Sequence, residues 1–358
     1  MLDKLPVPPI ASQKENISSR FVERWLLIVI ILVVLMVTVG GATRLTGSGL
    51  SITEWRPITG ALPPLSNAQW LIEFEKYRQI SQYELLNKGM SLGEFQFIYW
   101  WEWGHRQLGR LIGLVYLLGF FWIAFRRLVT PAQSLILFGM GLLLGLQGLV
   151  GWIMVASGLK QGMVAVAPVK LALHLTFACL FFASLVAMKT WLKTAHNTSN
   201  LALKGVDRAS AWLIVVLVFV QIALGGLVAG SKAGLTFNTW PLMDGAFIPP
   251  VTTLFATNPL WENFIDNPAL VQLNHRLSAY LLLIFALWHM WRINRYGFNP
   301  RAAQRAHWLN AAIFMQAVIG IVTLLLHVPL WAGLLHQSFA LVVLAIAVSH
   351  AIKTTKAD

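Results

Sequence analysis

The stretch "HRQLGRLIGLVYL", residues 105–117, recurs as "HRLSAYLLLIFAL" at residues 275–287. Each copy opens on His-Arg and then runs apolar, which reads as an ionisable mouth on a membrane span. The surroundings repeat too. "GGATRLTGSGLSITEWRPITGALPP" (40–64) matches "GGLVAGSKAGLTFNTWPLMDGAFIPP" (225–250), "QGLVGWI" (147–153) matches "QAVIGIV" (316–322), and "LHLTFA" (173–178) matches "LHQSFA" (335–340). The first half of the chain therefore corresponds to the second.

Composition says what kind of chain repeats. Of 358 residues 57% are hydrophobic and only 11% charged, and the mean hydropathy of +0.66 lies outside the range of soluble domains. A hydrocarbon core takes about 20 apolar residues per helix, and segments of that kind lie near 25–41, 107–125, 132–156, 171–190, 209–229, 273–291, 307–326 and 331–350. Helices one to four thus pair with five to eight. Because four crossings are an even number, both halves run in the same direction, as parallel repeats about an axis along the membrane normal. The expected fold is an all-α integral membrane protein of eight transmembrane helices in two parallel-repeat four-helix bundles, residues 1–196 and 209–358. A polar linker at 197–208, within "HNTSNLALKGVDR", joins them.

The net charge of +13 is a statement about topology. Lys4, Lys14, Arg20, Arg24, Arg126, Arg127, Lys189, Lys193, Lys204, Arg208, Arg292, Arg295, Arg301, Arg305, Lys353 and Lys356 all fall on one side if the N-terminus is inside. Both termini are then cytoplasmic. The opposite loops carry Glu54, Glu73, Glu75, Glu84, Glu94, Glu102, Asp244, Glu262 and Asp266, which largely offset the bases there, so nucleic acid is not an expected partner. The first two dozen residues hold Asp3, Glu15 and Glu23 among their bases, a pattern unlike a transit peptide or a cleavable signal. A bacterial inner membrane is the expected location. The single cysteine, Cys179, excludes an intramolecular disulfide and reads as small core filler.

Nine histidines are present, and four of them, His105, His174, His275 and His336, occupy equivalent places in the two halves near the outer ends of even-numbered spans. A lone histidine there reads as interfacial or satisfied in the core. Repeated pairs on separate helices at matching depth suit axial ligation of a heme iron. Zinc would call for more ligands at closer spacing. His196, His289, His307, His327 and His350 have no partner in the other half and read as structural. Arg106 and Arg276, next to proposed ligands, could pair with heme propionates or snorkel to lipid headgroups. The glycine-rich runs match no phosphate-binding loop; they suit close helix approach or a flat cofactor face.

The halves differ at one telling place. Aligning His105 with His275 sets Gln272 against Glu102, so only the first half has a carboxylate three residues before its histidine, on the same helix face. One bundle looks equipped for acid-base chemistry and the other for holding a cofactor. The alternative reading of Glu102 is an interfacial charge paired with Arg106 or Arg110.

The eight-span repeat, "EWGHR" at 102–106, "GLSITEW" at 49–55 and the four paired histidines resemble the heme A synthase family, along nearly the whole chain. The long first outer loop resembles the alphaproteobacterial and mitochondrial branch. The resemblance implies oxidation of the C8 methyl group of heme O to the formyl group of heme A, by successive hydroxylation and loss of water from a geminal diol, with water-derived oxygen and an external electron acceptor. It implies heme B as cofactor, its iron held by His275 and His336, and heme O as substrate on His105 and His174, with Glu102 catalytic. Some members carry a cysteine pair in the first outer loop; this chain does not. The partners implied are heme O synthase and cytochrome oxidase assembly factors, besides membrane lipid; a homo-oligomer is left open. Two other classes use the same features: a diheme b-type electron carrier without methyl oxidation, and a transporter with the repeat but no heme. Glu102 and the long loop favour the enzyme over the carrier, and the paired histidines count against the transporter.

Overall fold

The computed structural model describes residues 10–195, 205–296 and 299–355. Lys4, Lys204, Lys356, Asp3, His196 and most of the linker lie outside the described residues, as do the side chains of Lys14 and Glu15. In chain order the helices are α1 (Ile10–Leu45), α2 (Asn67–Arg78), α3 (Ser81–Leu86), α4 (Leu92–Phe125), α5 (Pro131–Gly158), α6 (Pro168–Ala195), α7 (Val206–Gly230), α8 (Val251–Leu254), α9 (Pro268–Tyr296), α10 (Pro300–Leu325) and α11 (Leu330–Thr355). All but α2, α3 and α8 are long and apolar enough to cross a membrane, which gives eight candidate spans. No strand occurs among the described residues.

Local signals explain where the spans begin. Ser91 and Glu94 form a reciprocal capping box at the start of α4, and Thr130 with Gln133 does the same at α5, where Pro131 takes the first helical position. Asn299 caps α10 ahead of Pro300. Helix α4 therefore starts 15 residues before the apolar run expected at 107, arithmetic that follows from its first residue, Leu92. Hydropathy marks only the part of a helix that lipid would cover, whereas one face of the first turns of α4, with Phe95, Ile98 and Tyr99, packs on the loop.

Helices α1, α4, α5 and α6 contact one another in a closed ring, and α7, α9, α10 and α11 do likewise. The two rings meet where α6 packs on α7 and α11, and where α1 packs on α11. Lipid-like surroundings offer no hydrophobic gain for helix pairing, so close packing and polar contacts hold such seams. Both are present. A Cβ added to Gly226 would come 2.7 Å from Ala172 Cα, and one on Gly230 2.5 Å from Pro168 Cα, so α7 lies directly against α6. Across the other seam Gln337 Nε2 donates to the Val37 carbonyl at 2.8 Å, and the hydroxyls of Thr38 and Ser338 bond at 2.9 Å. Cys179 is free and buried in the main core.

The loop between α1 and α4 has a core of its own, with Ile52, Trp70, Tyr77, Phe95, Ile98 and Tyr99 buried together. Tyr77 donates to Gln82 Oε1 at 2.9 Å, while Gln82 Nε2 reaches the carbonyls of Gly47 and Val164 at 3.2 Å each. Burial pushes the Tyr77 phenol above its ordinary value, so it remains a donor. This small aromatic core ties the loop to the α5–α6 connection at the histidine-bearing end.

Candidate functional site

Each of the four paired histidines sits on one helix with its ring laid on a glycine of the neighbouring helix. A Cβ on Gly40 would come 3.0 Å from His105 Nε2, on Gly151 2.8 Å from His174 Cε1, on Gly225 3.2 Å from His275 Cε1 and on Gly320 2.7 Å from His336 Cε1. These rings can approach so closely only because the helix opposite is bare. The imidazoles of His275 and His336 lie in a T-shaped arrangement with ring centres 6.4 Å apart and planes crossed at 79°. Two metal–nitrogen bonds of about 2 Å, one on each side of a shared ion, put ring centres about 6 Å apart. The pair therefore fits a single metal held between two imidazoles. His105 and His174 stand on α4 and α6 of the other ring of helices. All four side chains keep partial exposure.

Glutamines that sequence reasoning passed over complete this arrangement. Gln147, Gln221 and Gln316 place their Nε2 atoms 2.9, 3.2 and 2.9 Å from the carbonyls of His174, His275 and His336. The same atoms come 3.1, 3.2 and 3.2 Å from the Nδ1 atoms of those rings. A signal for them existed: "QGLVG", "QIALG" and "QAVIG" place each glutamine four residues before its glycine, and that spacing is one helix face.

Glu102 is buried, at 3% exposure, and fully engaged. Its Oε2 accepts from the Ser51 hydroxyl and the Ile52 N–H, both at 2.8 Å, and its Oε1 takes Arg106 Nη2 at 2.6 Å. Arg106 also donates to the carbonyls of Glu54 and Ile52 at 2.9 and 2.8 Å. The structure thus brings Glu102 and Arg106 together as a pair that fastens residues 51–54 over the mouth of α4. In the second half Gln272 Nε2 donates to the Phe237 carbonyl at 3.1 Å, and Arg276 Nη2 donates to the carbonyls of Phe237 and Thr239 at 3.1 and 3.0 Å. Both guanidiniums serve loop carbonyls, and Arg276 Nε is left without a partner among the described residues.

The structure also joins two histidines that sequence reading left apart. His289 Nε2 and His350 Nε2 are 2.9 Å from each other, with the Ser210 hydroxyl 2.7 Å from His289 Nδ1. At 0% and 1% exposure they are packed shut, unlike the four rings laid on glycine. Each lies 14 residues after a paired histidine of its own helix, 275 to 289 and 336 to 350. His307 contacts Asn294 at the molecular surface, away from all of these.

A sequence model of the family described as cytochrome oxidase assembly protein matches residues 23–348. A protein of Methylobacterium sp. (strain 4-46) named "Heme A synthase" is 57% identical over 351 residues, 98% of this chain and 96% of its own length. One of that name from Methylobacterium nodulans is 58% identical over 320 residues, covering 89% and 88%. Another, from Brucella anthropi, is 48% identical over 341 residues, covering 95% and 93%. Paired histidines on glycine beds, a carboxylate in one half alone and these matches lead to one statement: the chain belongs to the heme A synthase family.

Proposed function

We propose that this chain oxidises heme O to heme A, converting the C8 methyl group to a formyl group with water-derived oxygen, and that the reaction belongs to the half containing Glu102. The observation that carries the reading is the unequal pair of sites: both present two histidines on glycine, and one alone adds a carboxylate. In this reading residues 1–196 form the substrate half, with His105 and His174 taking the iron of heme O, and residues 209–358 form the cofactor half. His275 and His336 would hold heme B. An unactivated methyl group has no proton acidic enough for ordinary base catalysis, so heme B, when bound, would pass the electrons released to an external acceptor while the protein orients and charges the site.

Glu102 is the proposed acid-base group. Ser51, Ile52 and Arg106 fix its oxygens, and a carboxylate so held can take a proton from water beside the substrate or oppose developing positive charge. Arg276, with one free donor, is the better placed of the two arginines to meet a propionate. The basic residues on the opposite ends of the spans support cytoplasmic termini and a periplasmic-side site in a bacterial inner membrane. Heme O synthase is the natural supplier of substrate, and cytochrome oxidase assembly the natural use of product. Separating the hemes extracted from the purified protein tests the reading. Heme B together with heme O or heme A is expected; heme B alone would make the chain an electron carrier, and no heme would remove both.

A further inference from the structure

The four histidine sites are built alike except for one side chain. One turn before each supporting glycine, on the same helix face, stand Gln147, Gln221 and Gln316 in three sites and Met36 in the fourth, before Gly40. The three glutamines each bond the carbonyl of their histidine and lie against its ring, near both ring nitrogens in His174 and His275. Their Oε1 atoms have no partner among the described residues. Each Nε2 ties down the histidine backbone while lying against the imidazole, so the glutamine holds the ring in its place. Met36 has no donor and only a weak acceptor. Its methyl end lies toward Gly109, whose added Cβ would meet it at 3.3 Å. The His105 ring consequently makes no hydrogen bond among the described residues.

We propose that Gln147, Gln221 and Gln316 are positioning residues that lock His174, His275 and His336 as lasting iron ligands, and that Met36 leaves His105 as the ligand that lets go. The inference rests on the assignment of His105 and His174 to the substrate. A cofactor must stay through many turnovers, but a substrate heme must leave after each one. Outer partners of a ligating histidine are worth about 10–100-fold in metal affinity, because they fix the ring and its tautomer. One site lacking that partner has a weak side by construction, and it is a site where exchange is required. Exit of product would then begin with rupture at His105, the ring still held by His174.

Hemin is a suitable probe, since its loading needs no turnover. The full-length protein in detergent is loaded with hemin, and its release to excess apomyoglobin is followed by absorbance. Two phases are expected. Met36→Gln should slow the faster phase about tenfold or more, and Met36→Leu should leave it unchanged. Gln221→Leu should speed the slower phase about tenfold and shift the low-spin spectrum of that heme, and Gln221→Glu, which loses the donor to the His275 carbonyl, should not restore slow release. A glutamine at position 36 adds a contact rather than removing one, so its outcome does not hinge on a weakened fold. Unchanged release in Met36→Gln, or in Gln221→Leu, overturns the inference. If release behaves as expected while the protein makes no heme A from heme O, the assignment of function falls and the difference between the histidines stands.

Discussion

On α4, Glu102, Arg106 and Arg110 follow one another at intervals of four residues; on α9 the matching positions hold Gln272, Arg276 and Tyr280. Both stripes do the same mechanical task. Arg110 donates to the carbonyls of Pro57 and Arg56 at 2.9 Å each, and Tyr280 accepts from Trp240 Nε1 at 3.0 Å, so each half pins the loop that follows its first span. A neutral amide is enough to do so in the second half. The buried charge of Glu102 is therefore more than the loop requires, and the proposed function assigns the excess to chemistry rather than to shape.

The strongest way to break the comparison is at the histidines. His275→Ala or His336→Ala removes one side of the pair whose ring centres lie 6.4 Å apart; heme B content should fall to near zero and heme A formation should cease. Pigment extraction and difference spectra check both. Retention of heme B in these variants would shift the cofactor to His105 and His174, the remaining pair laid on glycine.

How much of this was legible differs from element to element. Eight apolar runs gave eight spans, because lipid contact imposes length and composition directly. The four histidines were legible because the repeat doubled them. The first turns of α4 were not, since one face of them packs on the aromatic core of the loop, although Ser91 and Glu94 carry a readable cap. Glu102 was legible as an exception, but its partners Ser51 and Ile52 lie about 50 positions away, and no helical periodicity links them. The pairing of Glu102 with Arg106 was one of two readings open in the sequence, and the structure shows that contact. The glutamines needed a question that hydropathy does not ask, namely what each imidazole rests beside.

A second, smaller effect sharpens the comparison. Glu102→Gln gives the first half the side chain that holds the loop in the second, so assembly and the heme B spectrum should persist. The rate of heme A formation should drop at least about a hundredfold, the lower range for a positioned acid-base or charge-stabilising group. Heme O or a hydroxylated intermediate should accumulate, as read by separating the extracted hemes. Ser51→Ala is the control: it deletes one loop contact but leaves the charge, and should cost less than Glu102→Gln, within the roughly 1.5–3 kcal/mol of a hydrogen bond to a charged group. Near-normal heme A from Glu102→Gln would reduce this residue to a loop fastener.

The smallest effect is expected from the opposite exchange, Gln272→Glu. Gln272 is 3% exposed and its Nε2 bonds the Phe237 carbonyl, so a carboxylate there loses that bond and faces an oxygen. Arg276 lies four residues on, the spacing of the Glu102–Arg106 pair, and its Nε has no partner among the described residues. The new charge can therefore turn to Arg276 and take up that donor. Loss of one hydrogen bond, about 1 kcal/mol, is set against an ion pair whose desolvation absorbs most of its attraction, so the melting temperature should move by only a few degrees. A second active site should not arise, because the ligands on that side remain fastened by Gln221 and Gln316. The double variant Glu102→Gln/Gln272→Glu puts this plainly: it carries the same charges as the wild type with their places exchanged, and should be as inactive as Glu102→Gln alone. Recovery of heme A formation in the double variant would mean that the two sites are equivalent in everything but this carboxylate, and that the division into a substrate half and a cofactor half is wrong.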